Sequence, residues 1–72
     1  MYQFTRTKIL PLFLQRRMTI RQLAKDAGVS EKTAERAING LPVHSSVIGR
    51  IADALGIAPL EMLVDNGVEI RD

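Results

Sequence analysis

The stretch Thr19-Ile-Arg-Gln-Leu-Ala-Lys-Asp-Ala-Gly-Val-Ser-Glu-Lys-Thr-Ala-Glu-Arg-Ala-Ile-Asn-Gly40 decides the fold. Thr19, with a glutamine three residues later, has the pattern of a capping box and begins one helix. Ser30 is placed to cap a second helix over residues 31–38, which Gly40 ends. Gly28 lies between the two, where a helix C-terminus favours a positive φ. Two short helices joined by about three residues that include a glycine indicate a helix-turn-helix over residues 19–39.

One further helix is predicted before this pair. Apolar side chains recur at helical spacing over residues 8–17 and indicate a half-buried helix. Pro11 limits where this helix starts, because a proline is tolerated only in a first turn. Thr7 is therefore expected to cap it in preference to Thr5.

Two more helices and a tail are predicted after the pair. A fourth helix is expected over residues 46–55 and a fifth over residues 59–64, which begins at a proline. The tail 65–72 contains an Asn-Gly turn signal followed by alternating apolar and charged residues. It forms either a short strand paired with residues 2–4 or a frayed end, and we favour the strand. We therefore expect an all-α fold: a compact five-helix domain with a short terminal strand, spanning residues 1–72 as a single domain.

Length and composition exclude several classes of function. The chain has 72 residues and no cysteine, so disulfides, thiolate metal sites and cysteine nucleophiles are all excluded. No apolar run approaches the roughly 20 residues that a membrane span requires. The first four residues lack the apolar core of a signal peptide, so we expect a cytoplasmic location.

The charge is divided unevenly along the chain. The formal net charge is only +2, but residues 1–50 carry nine basic and three acidic side chains, whereas residues 51–72 carry one basic and five acidic. The first part is therefore suited to a polyanion, and the acidic second part should face away from it.

The combined pattern resembles the Cro/phage-repressor (Xre-like) helix-turn-helix family. The matching elements follow one another in register and without insertions over about residues 9–63: Leu23-Ala24, Gly28-Val29-Ser30, Asn39-Gly40 and Ala54-Leu55-Gly56-Ile57. Each element is weak alone, but together they are specific. The resemblance implies a five-helix domain that binds double-stranded operator DNA as a homodimer, with the helix over residues 31–38 in the major groove.

Site residues are carried over by position. The resemblance makes Lys32, Thr33 and Arg36 the expected base-contacting residues, with Glu31 and Asn39 as neighbours, and helical spacing independently places them on the exposed side of that helix. Phosphate contacts, which set the register on DNA, are expected from cap residues and nearby basic residues: Thr19, Arg21, Ser30, Arg17, Ser45 and Ser46. Apolar residues near the C-terminal end are expected to form the dimer contact: Met62, Val64, Val68 and Ile70.

Three positions depart from the family pattern. Ile20 stands where the family often has a glutamine that contacts the DNA backbone. Phe13 and Ile38 stand where the family often pairs an arginine with a glutamate, and replacing a buried ion pair by apolar groups is neutral or stabilising in some proteins. We expect Phe13 to fill space beside the small side chains of the 31–38 helix.

Three classes of function compete on the sequence alone. The first is a sequence-specific transcription regulator, most often a repressor. The second is an interaction module of the antitoxin type, whose tail binds a partner protein. The third is an enzyme, and it has no support, because the chain has no glycine-rich phosphate loop, no metal-spaced ligands and no nucleophile–base pair. We therefore expect no catalytic residue, no metal and no cofactor, and we favour the regulator.

Overall fold

The computed structural model describes residues 1–58, which form four helices. These are α1 (Arg6–Gln15), α2 (Ile20–Ala27), α3 (Glu31–Ile38) and α4 (Ser45–Leu55). The prediction of an all-α fold is confirmed over this part of the chain. The predicted fifth helix over residues 59–64 and the predicted strand in the tail 65–72 lie outside the described residues.

A single apolar core holds the four helices together. Helix α2 packs against α3 and α4, while α3 also contacts α1 and α4. The buried residues of each helix recur at a spacing of three or four, as the sequence predicted for α2, α3 and α4. The residues that depart from the family pattern belong to this core: Phe13 and Ile38 are buried, and Ile20 is half-buried against it. No charged side chain between residues 1 and 58 is fully buried.

The predicted start of α1 was wrong. The helix begins at Arg6 with Thr5 as its N-cap, so Pro11 lies inside the helix and not in its first turn. A proline there removes one backbone hydrogen bond, whose acceptor is the carbonyl of Thr7. Thr7 is exposed, so water is available to that carbonyl. The position before the cap and the fourth helical residue are Phe4 and Ile9, both in the core, and such an apolar pair stabilises an early start.

Helix α4 also begins one residue earlier than predicted. Its N-cap is His44, whose side chain makes no capping hydrogen bond, and Ser45 and Ser46 are its first two residues. The sequence had suggested that these serines are caps, and this was wrong. Both are exposed.

The N-terminal segment, residues 1–4, pairs with the loop between α3 and α4. Tyr2 and Val43 exchange two backbone hydrogen bonds of 2.9 and 2.8 Å in an antiparallel bridge. The Gln3 side chain donates to the carbonyl of Gly40 over 2.8 Å. Tyr2, Phe4 and Val43 are all buried, so this pairing forms one wall of the core. The sequence had suggested the tail as the pairing partner of residues 2–4, and it did not predict this contact with the loop.

Gly40 is required where the segment and the loop meet. Its φ of +75° lies in the left-handed region, and a Cβ added there would stand 3.0 Å from the Cβ of Arg6 and 3.2 Å from the carbonyl oxygen of Phe4. The backbone at residue 40 therefore lies so close to Phe4 and Arg6 that only glycine fits there without a shift.

All four helix ends share one backbone conformation, a positive φ, but one of them has no glycine there. Helices α2, α3 and α4 are each followed by a glycine with positive φ, whereas α1 is followed at that point by Arg17 with φ 56°. A left-handed conformation costs a non-glycine residue roughly 1–2 kcal/mol. Arg17 thus holds a strained position that a glycine would occupy without strain.

Candidate nucleic-acid interface

The turn between α2 and α3 is built by two caps and a glycine. The Thr19 hydroxyl oxygen accepts from the backbone N–H of Gln22 over 3.0 Å, which is half of the predicted capping box. The Gln22 side chain donates to Asp26 over 2.9 Å and so extends along its own helix. Gly28, with φ +71°, makes the turn, and Val29 packs against the core. The helix-turn-helix predicted from the sequence is therefore present.

Helix α3 turns its polar residues away from the core. Ala34, Ala37 and Ile38 are buried and fix the orientation of the helix. Glu31, Lys32 and Arg36 are exposed and Thr33 is half-buried, so four of the five predicted base-contacting residues lie together in the first two turns. An exposed helix with such residues near its N-terminus has the dimensions and donor groups to enter a major groove.

Arg36 is held in place by the loop that follows its helix. Its Nη2 atom donates to the carbonyl oxygen of Pro42 over 3.0 Å. Arginine carries five N–H donors, so the guanidinium keeps further donors for a ligand after this bond. The sequence did not predict this contact, because it depends on the path of the loop.

Asn39 is placed differently from the other four. Its side-chain Nδ2 donates to the carbonyl of Glu35 over 2.9 Å, and the residue caps the C-terminal end of α3. That end is about 12 Å along the helix axis from Glu31. Its amide is therefore used within its own helix.

The two hydroxyls at the start of α3 are bonded to each other. The Oγ atom of Ser30 accepts from the backbone N–H of Thr33 over 3.1 Å and lies 2.9 Å from its Oγ1. One hydroxyl hydrogen is used between the two oxygens, which leaves one for a phosphate or a base. Ser30 and Thr33 therefore act as a unit.

The other predicted phosphate-contacting residues lie at exposed positions. Thr19 is the cap of α2, Arg21 lies in its first turn, and Arg17 precedes it in the strained position described above. Ser45 and Ser46 open α4, whose first turn has no side-chain cap. Free backbone N–H groups at a helix N-terminus suit an anion.

A cavity of about 240 Å³ opens beside the polar face of α3. It is lined by two residues of α3 and by residues from the N-terminal segment, the following loop and α4: Thr33, Arg36, Met1, Pro42, Val43, His44 and Val47. Val43 and Val47 are only 4% and 8% exposed, so the cavity lies at the edge of the apolar core and little of either valine is accessible from it. Sequence reasoning missed this feature, since its walls come from three separate parts of the chain.

We predict that Arg17→Gly stabilises the domain and weakens its binding to DNA. Glycine relieves the left-handed strain, so the free energy of unfolding should rise by about 0.5–1 kcal/mol in urea denaturation. Loss of a phosphate contact should weaken binding to every sequence and lower the salt slope by about one.

Arg17→Ala is the matched control, because it removes the same charge and keeps the strain. It should weaken DNA binding as much as the glycine variant without the gain in stability. Equal stability of the two variants would contradict the strain, and unchanged DNA binding in both would contradict the phosphate contact.

The predicted dimer contacts cannot be compared with the structure, and the described residues contain neither a membrane-spanning helix nor a metal-binding cluster. The predicted dimer contacts all lie beyond residue 58: Met62, Val64, Val68 and Ile70. Over the part of the chain that the structure describes, no helix is long and apolar enough to cross a membrane. Over the same residues, no three histidine, aspartate or glutamate side chains come together as a group that could hold a metal ion.

Comparison with known proteins identifies the family. The family model of the Cro/C1-type HTH DNA-binding domain matches residues 8–67. A search of curated proteins and a search of solved structures found no significant match. The family match covers the capped helix pair, the turn and the exposed face of α3 described above. The chain therefore belongs to the family of Cro/C1-type helix-turn-helix DNA-binding domains, and it is a DNA-binding domain of transcription regulation.

Proposed function

We propose that this domain is a sequence-specific repressor that binds operator DNA as a homodimer and acts by occupying a promoter. The observation that carries the proposal is the exposed polar face of α3, with Lys32 and Arg36 directed away from the core on a helix whose opposite side is buried. We propose a cytoplasmic location for the domain, where it meets DNA. We propose no enzymatic activity.

Each residue on the α3 face has a role that its chemistry supports. Arg36 contacts guanine O6 and N7 through paired N–H donors, and Lys32 contacts a guanine through a single donor group. Glu31 accepts from a cytosine amine, and its charge suits the start of a helix. Thr33 acts with Ser30 at the same end. Asn39, whose amide is bonded to Glu35, supports the end of the helix more than it reads a base.

The phosphate contacts surround this face. We propose that Thr19, Arg21 and Arg17 contact one DNA strand and that Ser45 and Ser46 contact a phosphate at the start of α4. Contacts of this kind set the register and supply salt-dependent affinity without selecting a sequence. In a dimer formed through the C-terminal apolar residues, two copies of α3 lie one turn of DNA apart, about 34 Å.

Selection from random duplexes, followed by measurement of affinity, tests the proposal. The selected site should be a two-fold repeat, bound at least about 10³-fold more tightly than random duplex. A ratio below about 10-fold would exclude sequence-specific regulation. Sedimentation of the complex gives the number of chains on the site in the same experiment.

We predict that Arg36→Ala relaxes base preference at one position in each half-site. The expected cost at the preferred base is about 1–3 kcal/mol, because the paired hydrogen bonds to guanine are lost. Affinities for the selected site and its single-base variants, measured by fluorescence anisotropy, provide the test. Lys25→Ala is the control, since it removes an exposed positive charge outside the α3 face. An equal loss on every sequence in the Arg36 variant would make this residue a phosphate contact.

A further inference from the structure

The loop between α3 and α4 is held at both of its ends by adjacent residues of the N-terminal segment. At its start, the Gln3 side chain donates to the carbonyl oxygen of Gly40 over 2.8 Å. At its end, Tyr2 and Val43 exchange two backbone hydrogen bonds. Only two residues lie between these attachment points, and the carbonyl of the second one accepts from the side chain of Arg36.

A single peptide unit connects Tyr2 to Arg36. The carbonyl oxygen of Pro42 accepts from the Nη2 atom of Arg36 over 3.0 Å. The N–H group of the same peptide bond belongs to Val43 and donates to the carbonyl oxygen of Tyr2 over 2.8 Å. This peptide bond is trans and therefore planar, so its C=O and N–H groups point in opposite directions and cannot turn independently. The bond to Tyr2 thus sets the direction in which the carbonyl faces Arg36.

The orientation of the Arg36 guanidinium matters because the side chain is long and exposed. A ligand that must order such a side chain binds less tightly, whereas a guanidinium held before binding has already lost part of its freedom. Successive hydrogen bonds through one peptide unit also polarise each other, which strengthens each of them. Loosening the N-terminal segment should therefore leave the backbone of Arg36 within α3 but free its guanidinium.

We propose that Tyr2 and Gln3 are positioning residues for Arg36, so that the N-terminal segment contributes to base selection without touching DNA. This inference rests on the proposed function, because it takes Arg36 to contact a base. Tyr2 acts through its backbone and Gln3 through its side-chain amide, so a substitution at Gln3 tests the connection. Gln3 is only half-buried, and replacing it removes none of the large buried side chains of the core.

Nuclear magnetic resonance of the DNA-free protein provides the first test. Gln3→Met keeps the length of the side chain and removes the donor, whereas Gln3→Glu places a carboxylate oxygen against the carbonyl of Gly40. In both variants we expect faster exchange of the Val43 amide hydrogen and a lower order parameter at the Nε–H group of Arg36, with the larger change in the glutamate variant. Gln22→Met is the matched control, because it also removes a glutamine side-chain hydrogen bond, in this case one within α2. It should leave both signals unchanged.

Base preference provides the second test. The affinity for the selected site is divided by the affinity for the same site changed at the base pair where Arg36→Ala relaxes preference. A merely structural role of Gln3 would weaken both affinities equally and leave this ratio unchanged. We expect the Gln3 variants to lower the ratio by about two- to ten-fold, the factor that one hydrogen bond contributes, and the Gln22 control to keep it. In the Arg36→Ala background, the Gln3 substitutions should lower the ratio no further.

The outcomes separate this inference from the proposed function. An Arg36 order parameter that stays unchanged in both Gln3 variants overturns the inference, and this result needs no DNA. A lowered order parameter with an unchanged base ratio overturns it as well, and both results leave the regulator standing. Gln3→Met is uncharged and keeps the test readable if Gln3→Glu does not fold. Failure to select any site overturns the proposed function, and base selection through Gln3 falls with it.

Discussion

Phe4→Ala is expected to lower the free energy of unfolding by about 3–5 kcal/mol, the range measured when a buried phenylalanine is truncated. Phe4 is 1% exposed and lies just before the cap of α1, where it belongs to the same core as Ile9. Its removal leaves a cavity beneath the N-terminal segment and weakens the start of α1. The total stability of a domain of this size is only about 4–11 kcal/mol, so this single change removes a large part of it.

Urea denaturation followed by circular dichroism measures the effect. Phe4→Leu keeps most of the apolar volume and should cost less than about 1.5 kcal/mol, which keeps the test readable if the alanine variant is unfolded. Leu14→Ala is the control: Leu14 is also a large apolar residue of the same region, but it is 62% exposed. Its truncation should change stability by no more than about 0.5 kcal/mol. Similar losses in the Phe4 and Leu14 variants would contradict the packing of the N-terminal segment.

Gly40→Ala is expected to cost about 2–4 kcal/mol for two additive reasons. The left-handed φ strains any residue with a Cβ, by roughly 1–2 kcal/mol. In addition, the new Cβ would lie 3.2 Å from the Phe4 carbonyl oxygen and 3.0 Å from the Cβ of Arg6, so the N-terminal segment must move away. That movement would weaken the hydrogen bond from Gln3 to Gly40.

Two other glycines separate these contributions. Gly56 has φ +68°, and among residues 1–58 a Cβ there would meet only the flexible end of Arg16 at 3.8 Å, so Gly56→Ala is the comparison for strain without a close backbone contact. Gly49 lies within α4, and no atom of the described residues 1–58 would lie within 4 Å of a Cβ at this position. Gly49→Ala should therefore raise the free energy of unfolding by about 0.5–1 kcal/mol. Chemical denaturation of the three variants should therefore rank them Gly49, Gly56 and Gly40 from stabilised to most destabilised. If Gly40→Ala lowers the free energy of unfolding no more than Gly56→Ala does, the N-terminal segment moves aside without an energetic penalty, which would contradict the second reason.

Local patterns predicted the helix-turn-helix because each of its boundaries is encoded by nearby residues. The limits of α3 follow from the Ser30 cap and the Asn39-Gly40 end, both of which act through hydrogen bonds within a few residues. The start of α1 was mispredicted for the opposite reason. The local rule for proline was outweighed by the burial of Phe4 and Ile9, which depends on the rest of the fold.

The candidate site also has one part that the sequence predicted and one part that it did not. Helical spacing placed Lys32 and Arg36 on the exposed face, since the buried alanines of α3 set its orientation. The bond from Arg36 to Pro42 and the cavity beside it could not be predicted from spacing, because they require the loop path. That path in turn depends on pairing with Tyr2, and segments of so few residues carry no periodic signal.

The pairing of the N-terminal segment with the loop has a consequence for the order of events during synthesis. Gln3 and its partner Gly40 are 37 residues apart in the chain. At a translation rate of about 5–20 residues per second, residue 3 waits roughly 2–7 s before residue 40 has been made. The apolar side chains of Tyr2 and Phe4 stay uncovered during that interval, and the loop that positions Arg36 is completed only when they dock. Residues 2–4 are thus made well before the loop with which they pair, and their docking completes the wall of the core next to that loop.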